Sequence, residues 1–202
     1  MPLWLAGEPL VLASKSAIRH TLLHDAGVPV EVEPADIDER TIEQSSAARE
    51  GGELAALLAR EKARTIAARR PGRLVLGADQ TLALGKRRFS KPGDRAGARQ
   101  QLEALRGRTH ELHTAIALVR ESTILFEHRE VARLTMRAFS DNFLEAYLDA
   151  MGAAVTASVG GYQLERLGIQ LFERIEGDHF VILGLPLVAL LQYMRQSGWL
   201  AA

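Results

Sequence analysis

Short apolar runs alternate with helical segments along most of this chain, and that alternation limits the fold more than any other feature of the sequence. Runs such as PLVLAS and RLVLGAD have the length and composition of buried strands. THELHTAIALV and ILFEHREVARLTMRAF, later in the chain, are typical of strands paired around a polar turn. Interleaved strands and helices with antiparallel hairpins late in the chain predict an α/β fold with a mixed sheet.

Capping residues give the helix boundaries. Ser16 is the predicted N-cap of a helix over Ala17–Ala26, and Gly27 is its stop signal. Further helices are predicted over residues 53–70, after the turn KPGD up to Gly107, from Ser140 to about 152, and over LPLVALLQYMRQSG. VPVEVEPADIDE is predicted to be a strand that ends in acidic residues, and IQLFERIEGDHFVIL a hairpin around EGD. No repeat or linker divides the chain, so residues 1–202 are predicted to form a single domain.

Composition excludes some classes of protein. The 202 residues include 25 basic and 25 acidic side chains and no cysteine. Neutral net charge and 5% aromatic residues argue against nucleic acid and anionic membranes as partners. The apolar N-terminus lacks a basic region and is interrupted by Glu8 and Pro9, and no apolar run reaches the roughly 20 residues of a membrane span. The sequence predicts a soluble, cytoplasmic protein.

The stretch LVLASKSAIRH places cations in the first turn of a helix, where the helix dipole disfavours them by about 0.3–1 kcal/mol. A strand that leads into a helix N-terminus directs unpaired N–H groups into open space, which suits a phosphate. The hydroxyls of Ser14 and Ser16 and the charges of Lys15 and Arg19 would add to such a site. The alternative is that Arg19 lies on a solvated face. No Walker loop occurs in the chain.

Two lysines are further candidates. Lys62 interrupts the apolar helical stripe of Ala55, Ala59 and Ile66, and the alternative is a lysine that snorkels at the edge of that stripe. Lys91 stands in the turn SKPGD, where it could meet a ligand or be an ordinary loop lysine. The chain has only four lysines, so a lysine at these positions is less expected as generic surface.

Carboxylates form a second group of candidates. Asp79 ends an apolar strand, where open α/β sheets place ligands. Asp36, Asp38 and Glu39 follow another strand, and converging oxygens would suit Mg²⁺ or Mn²⁺. The alternative is that DIDE is a solvated turn. The histidines lack zinc spacing, so His110 and His113 are interpreted as residues of the sheet.

In this order, these segments resemble the Maf family of nucleotide pyrophosphatases over nearly the whole chain. The segment LVLASKSAIRHTLL looks like the family motif L-A-S-x-S-x-x-R-x-x-L-L. DIDE resembles the family's D-E segment, REKA resembles its K-A, and VLGADQ resembles its G-[AS]-D. KP resembles its G-K-P, with Ser90 in place of the glycine. The family's two longest motifs are resembled by two segments of this chain, LRGRTHELHTAIALV and GGYQLERLGIQLFERIEGDHFVILGLPL.

The resemblance implies an elongated α/β fold of the Maf and ITPase kind, with a mixed twisted sheet flanked by helices and two lobes around a deep cleft. It also implies hydrolysis of nucleoside triphosphates to monophosphate and pyrophosphate with a divalent cation, Mg²⁺, Mn²⁺ or Co²⁺. Carried over by position, Asp79 is the base that activates water, and Glu39 and Asp79 hold the metal. The phosphate-binding residues are Ser14, Arg19, Lys62 and Lys91, with Ser16 added from its place at the helix start. A homodimer is compatible with this interpretation, and the sequence does not give the oligomeric state.

Departures from the commonest motif bear on the substrate. Ile18, Gln80, Ser158 and Glu165 stand where that pattern has arginine, threonine, lysine and glutamine. The branch that resembles 7-methyl-GTP pyrophosphatases shares the Asp-Gln pair, the glutamate and LFER-x-EG, but tends to have an aromatic residue at position 18. A carboxylate at Glu165 would accept hydrogen bonds from a guanine edge. Ile18, Gln80 and Glu165 are therefore predicted to set a preference for a modified purine.

Three alternatives stay open. The first is a dTTP and UTP pyrophosphatase of the same family. The second is a catalytically weak nucleotide-binding regulator, for example of cell division, which the departures at Ile18 and Ser90 allow. For Glu165, the alternative is an exposed loop carboxylate without a role.

Overall fold

The protein structure is a computed structural model that describes residues 2–46 and 50–202. The strands are β1 (Leu10–Leu12), β2 (Val30–Val32), β3 (Val75–Leu84), β4 (Arg87–Phe89), β5 (Thr109–Arg120), β6 (Thr123–Met136) and β7 (Phe172–Glu176). The α-helices are α1 (Ala17–Asp25), α2 (Glu39–Ser45), α3 (Gly51–Ala67), α4 (Arg95–Leu105), α5 (Asp141–Met151), α6 (His179–Ile182) and α7 (Leu187–Gln196). Short 3₁₀ helices cover Gly152–Thr156, Val159–Gly161 and Leu167–Leu171.

Ser140 and Gly27 mark helix ends as predicted, and Asp94 marks the start of another helix. Asp94 accepts a hydrogen bond from the N–H of Gly97 at 2.7 Å and begins α4. Ser140 accepts from Phe143 N–H at 3.2 Å and begins α5. Gly27 has φ +75°, the left-handed conformation that ends a helix. Short polar side chains at N-caps and a glycine after the last turn therefore fix these boundaries locally.

The structure corrects several sequence predictions. Residues after Glu176 do not return as a second hairpin strand. Instead, Asp178 accepts from Phe180 N–H and Val181 N–H and starts α6, so the capping carboxylate overrides the strand-like run HFVIL. The predicted strand VPVEVEPADIDE is regular only over Val30–Val32, and its acidic end starts α2, with Asp38 as the N-cap.

Within the described residues, seven strands form one mixed sheet in the order β2-β1-β3-β5-β6-β7, with β4 paired to β3. β1 is parallel to both β2 and β3, whereas β3 with β4 and β6 with β7 are antiparallel. The predicted α/β class with a mixed sheet is confirmed. No helix in the described ranges is long and apolar enough to cross a bilayer.

The chain divides into two compact units. The first contains the described residues up to Gln80 together with Thr114–Glu130 and Asp178–Ala202. Its sheet has two apolar faces. On one face, leucines of β1 and β3 pack with α1 and α7, and on the other face α3 packs its alanines against Val11, Val75 and the alanines of β5. Alternate residues of each strand therefore belong to different layers of this unit.

The second unit contains Thr81–His113 and Val131–Gly177. One of its buried polar residues is His110, which is 1% exposed and lies next to the rings of Tyr162 and Phe172. His110 Nε2 is 2.8 Å from the Tyr162 hydroxyl, and Nδ1 has no hydrogen-bond partner among the described residues. Burial lowers the pKa of His110 from 6.5 to about 4. His110 is therefore neutral in the folded protein, as a residue of the sheet.

A buried neutral histidine makes stability depend on pH. Between pH 6.5 and 4 the unfolded chain binds a proton at His110 that the folded chain does not, so stability is present above pH 6.5 and falls as the pH drops towards 4. We expect about 3 kcal/mol of the free energy of unfolding to be lost over this range because of His110. Urea unfolding at pH 7.5, 5.5 and 4.5 of the unmutated chain and of His110→Gln measures the difference. Parallel pH dependences of the two chains would contradict this assignment.

Candidate functional site

A glycine in β3 brings helix α3 close to the sheet. A Cβ at Gly77 would lie 2.0 Å from the carbonyl oxygen of Ala59 and 2.8 Å from the nitrogen of Ala63, so no larger residue fits there. Asp79 lies two residues after Gly77, on the same face of β3. Lys62 lies three residues after Ala59, in α3. This close backbone approach therefore brings the side chains of Lys62 and Asp79 together.

The ammonium group of Lys62 lies between two carboxylates. Its Nζ is 2.5 Å from Oδ1 of Asp79 and 2.7 Å from Oε1 of Glu39. Lys62 and Asp79 are 8% and 7% exposed, whereas the Glu39 side chain is about half exposed. Lys62 is thus a buried, paired lysine and not one that snorkels to solvent, and the acidic end of DIDE is partly turned towards the site.

Burial raises the pKa of Asp79, and the negative charge of Glu39 acts in the same direction. The charges of Lys62 and Arg19 oppose that rise, so they favour the ionised form. Oδ2 of Asp79 has no hydrogen-bond partner in the described ranges, whereas Oδ1 is engaged by Lys62. A carboxylate with a raised pKa and one free oxygen is suited to take a proton from water.

Helix α1 begins beside this group. Ser16 is its N-cap residue, as predicted, but its side chain makes no capping hydrogen bond. The Ser14 hydroxyl accepts from the backbone N–H of Ser16 at 3.3 Å, and the N–H of His20 is bonded to Ser16 O. The N–H groups of residues 17–19 therefore have no acceptor within the helix, which leaves them for an anion.

Arg19 is 9% exposed and does not lie on a solvated face. Its Nε donates to the carbonyl of Gly184 at 2.7 Å, and its Nη1 donates to Ser14 Oγ at 3.0 Å and Ala78 O at 2.9 Å. Burial lowers the pKa of Arg19, although Asp79 and Glu39 counteract this effect. Nη2 makes no hydrogen bond within the described part of the chain, so this nitrogen is the one available to a ligand.

Gln80 lies on the other face of the strand from Asp79. Its Nε2 donates to Thr114 Oγ1 at 2.9 Å, Val181 O at 3.0 Å and Ile182 O at 3.1 Å. Since carbonyls only accept, these bonds fix the orientation of the amide and engage its donor side. Only the Oε1 atom of Gln80 is left for a contact with a nucleotide base, and the predicted role in base selection stays a prediction.

The other predicted residues are found at separate places. Ile18 is half-buried in the first turn of α1, and Lys15 is exposed. Lys91 and Glu165 belong to the second unit, where both are exposed; Lys91 lies between β4 and α4, and Glu165 lies in a turn before the last 3₁₀ helix. The first unit therefore brings together Ser14, Ser16, Arg19, Glu39, Lys62 and Asp79.

A divalent cation would find two carboxylates here. Glu39 and Asp79 already share one cationic group, the ammonium of Lys62, so their oxygens converge on a single position. No group of three or more His, Cys, Asp or Glu side chains able to hold a metal occurs in the described ranges. The residues fit Mg²⁺ or a similar ion that takes one or two carboxylates and completes its shell with phosphate and water. They do not form an all-protein cage.

Three residues of this site were not predicted from the sequence: Gly77, Thr114 and Gly184. The signal for Gly77 was present, since a glycine inside a strand often marks close backbone approach. Thr114 is 0% exposed and is an alternate residue on the Gln80 face of β5, which strand periodicity could have indicated. Nothing in the local sequence of Gly184 indicates its contact with Arg19, 165 positions away.

Sequence similarity extends over nearly the whole chain. The sequence profile of the family described as "Maf-like protein" matches residues 9–197. A protein of Rhodopseudomonas palustris strain BisB18, named nucleoside triphosphate pyrophosphatase, is 58% identical over 201 residues and covers 100% of both chains. A protein of Nitrobacter winogradskyi with the same name is 56% identical over 200 residues, covering 99% of this chain and 98% of the relative.

A solved structure of a HAM1 protein from Coxiella burnetii has 17% sequence identity and a TM-score of 0.42, and covers 65% of this chain and 74% of that one.

Proposed function

We propose, from the premise that this chain belongs to the Maf family, that it hydrolyses nucleoside triphosphates to a nucleoside monophosphate and pyrophosphate. The observation that supports this most is the buried Lys62 ammonium between the carboxylates of Asp79 and Glu39, beside Arg19. Binding of a triphosphate needs cations that neutralise its negative charge, and its hydrolysis needs a base that takes a proton from water. One group of side chains offers both.

In this mechanism Asp79 takes a proton from a water molecule as the water oxygen attacks the α-phosphorus, opposite the oxygen that bridges the α- and β-phosphates. The new P–O bond replaces the bridging bond, and pyrophosphate leaves. Lys62 and Nη2 of Arg19 stabilise the charge on the phosphate oxygens, most strongly where charge develops in the transition state. The orphan N–H groups at the start of α1 bind a phosphate, and Lys91 is a further proposed phosphate ligand.

Glu39 and Asp79 would hold the divalent cation. When bound, such an ion polarises phosphate oxygens and neutralises their charge. Lys62, whose ammonium contacts both carboxylates, would lie beside them to contact a phosphate oxygen.

Release of pyrophosphate from a panel of canonical and methylated nucleoside triphosphates, with Mg²⁺, Mn²⁺, Co²⁺ or a chelator, tests this function. Metal-dependent production of monophosphate and pyrophosphate in equal amounts is the expected result. Tight nucleotide binding without turnover across the panel would favour a nucleotide-binding regulator instead.

We further propose that a modified purine such as 7-methyl-GTP is preferred over dTTP and UTP. Glu165 is exposed and makes no hydrogen bond or ion pair within the described residues, so its carboxylate is free to meet a ligand. A carboxylate can accept from two donors of a guanine edge, and its charge favours the cationic 7-methylated ring. Half-buried Ile18 offers apolar contact. Facing a pyrimidine carbonyl, the carboxylate would leave two acceptors unpaired, which costs about 1–3 kcal/mol if buried.

Glu165→Gln is therefore expected to narrow or reverse the preference for 7-methyl-GTP over UTP, by roughly tenfold or more in the ratio of kcat/KM values. Competition assays with both triphosphates in one reaction measure that ratio. Glu173→Gln changes another exposed glutamate of the same unit and is the matched control. Equal or better efficiency of the unmutated chain on dTTP and UTP would overturn the purine preference while leaving the pyrophosphatase proposal intact.

A further inference from the structure

Backbone carbonyl groups of the segment 181–184, which comprises the last two residues of α6 and the two residues after it, accept hydrogen bonds from side chains that are far away in sequence. Val181 O and Ile182 O accept from Gln80 Nε2, and Val181 O also accepts from Thr114 Oγ1 at 2.9 Å. Gly184 O accepts from Arg19 Nε. All of these atoms belong to the first unit. The 181–184 segment therefore links the middle of β3 and β5 to α1, beside the residues of the candidate site.

These bonds determine which edge of the Arg19 guanidinium can meet a ligand. Gly184 O holds Nε, while Ser14 Oγ and Ala78 O hold Nη1. A guanidinium is planar, with five N–H donors in a fixed fork, so binding three of them to the protein sets the direction of the remaining pair on Nη2. Arg19 thus presents one nitrogen in a fixed direction.

Gly184 is shaped for this contact. Its φ is +95°, a conformation that L side chains rarely adopt, and a Cβ would lie 3.2 Å from Nη2 and 3.3 Å from Nε of Arg19. The guanidinium therefore packs on the bare backbone of Gly184. A side chain at this position would both strain the backbone and push the arginine away.

Thr114 and Gln80 hold the segment from the sheet side. Thr114 is completely buried, and its hydroxyl both accepts from Gln80 Nε2 and donates to Val181 O. At the start of α6, Asp178 caps the N–H groups of Phe180 and Val181. The segment is thus fixed at its start by the cap and along its length by two side chains of the sheet.

We propose that the 181–184 segment is a positioning element for Arg19, and that Thr114, Gln80 and Gly184 are positioning residues that act on triphosphate binding through that arginine. As a statement about the reaction, this rests on the proposed function. Gln80 acts through the segment, because its donor side is engaged there and its side chain lies on the opposite face of β3 from Asp79.

A double-mutant cycle tests the proposal. Thr114→Val removes the hydroxyl with little change of shape, and it is expected to weaken binding of inorganic tripolyphosphate by about tenfold. In an Arg19→Ala background the same substitution is expected to change the dissociation constant by less than about twofold, since coupled residues are non-additive. Thr114→Ser keeps the hydroxyl and should restore most of the affinity. Thr109→Val is the matched control. It removes an exposed hydroxyl that is bonded to Thr135, and both threonines belong to the second unit.

A spectroscopic measurement separates positioning from loss of fold. The ¹⁵Nε–H signal of Arg19, identified by its absence in Arg19→Lys, should exchange slowly in the unmutated chain. The signal should shift and exchange faster in Thr114→Val and Gly184→Ala. Equal affinity losses from Thr114→Val in both backgrounds, an unchanged Arg19 signal, or failure of the unmutated chain to bind tripolyphosphate would each overturn the proposal. Absence of pyrophosphate release would contradict the proposed function alone, because tripolyphosphate binding still reports on Arg19.

Discussion

Asp79→Asn is expected to lower kcat by about 10²–10⁴-fold while the chain stays folded and still binds nucleotide. Asparagine has nearly the shape of aspartate, but its amide does not accept a proton from water. Lys62 keeps its partner Glu39 and can still donate to the amide oxygen, so the buried ammonium is not left alone. In binding measurements without the divalent cation, which Asp79 would help to hold, removing a negative charge next to the phosphates should hold or strengthen triphosphate binding.

Steady-state pyrophosphate release and calorimetric nucleotide binding, measured on the same preparation, test this expectation. Asp25→Asn makes the same change at an exposed residue at the end of α1 and should behave as the unmutated chain does. Turnover of Asp79→Asn near that of the unmutated chain would show that Asp79 is not the base.

Lys62→Met has the second largest expected effect. Methionine replaces the stem of the lysine but leaves Asp79 and Glu39 without the cation between them. At neutral pH we expect kcat/KM to fall about 10²-fold or more, since a charged contact to the phosphates is lost. Because the Lys62 charge opposes the raised pKa of Asp79, its removal raises that pKa further. The acid limb of the pH profile should therefore move to higher pH, and part of the lost rate should return in alkaline buffer.

The pH profile of kcat/KM distinguishes this effect from simple loss of a phosphate ligand, which would lower the rate equally at every pH. Lys86→Met, a change of an exposed lysine in the turn between β3 and β4, is the control. An acid limb at the same pH in Lys62→Met and the unmutated chain would refute the electrostatic coupling of Lys62 to Asp79.

Local rules predicted much of the secondary structure. The turn KPGD, Ser140 as the start of a helix and Gly27 as a stop signal gave correct helix ends, because capping depends on residues within one turn. The same kind of local signal was missed at Asp178, where a capping carboxylate before HFVI makes a helix from residues that alternate like a strand. The apolar run there was too short for its periodicity to distinguish a helix from a strand.

The sequence alone determined the family, the α/β class and the residue types of the site, because ordered motifs are local in the chain. The predicted strand end at Asp79 was wrong, since β3 continues to Leu84. Only the tertiary structure decided what those residues touch. Lys62 lies between two carboxylates because Gly77 lets α3 approach β3, and Arg19 is buried because carbonyls of Ala78 and Gly184 reach its donors. Neighbouring Asp79 and Gln80 point to opposite faces of one strand. A buried charge keeps its place only when distant segments supply its partners, and the packing of those segments is not written in any short motif.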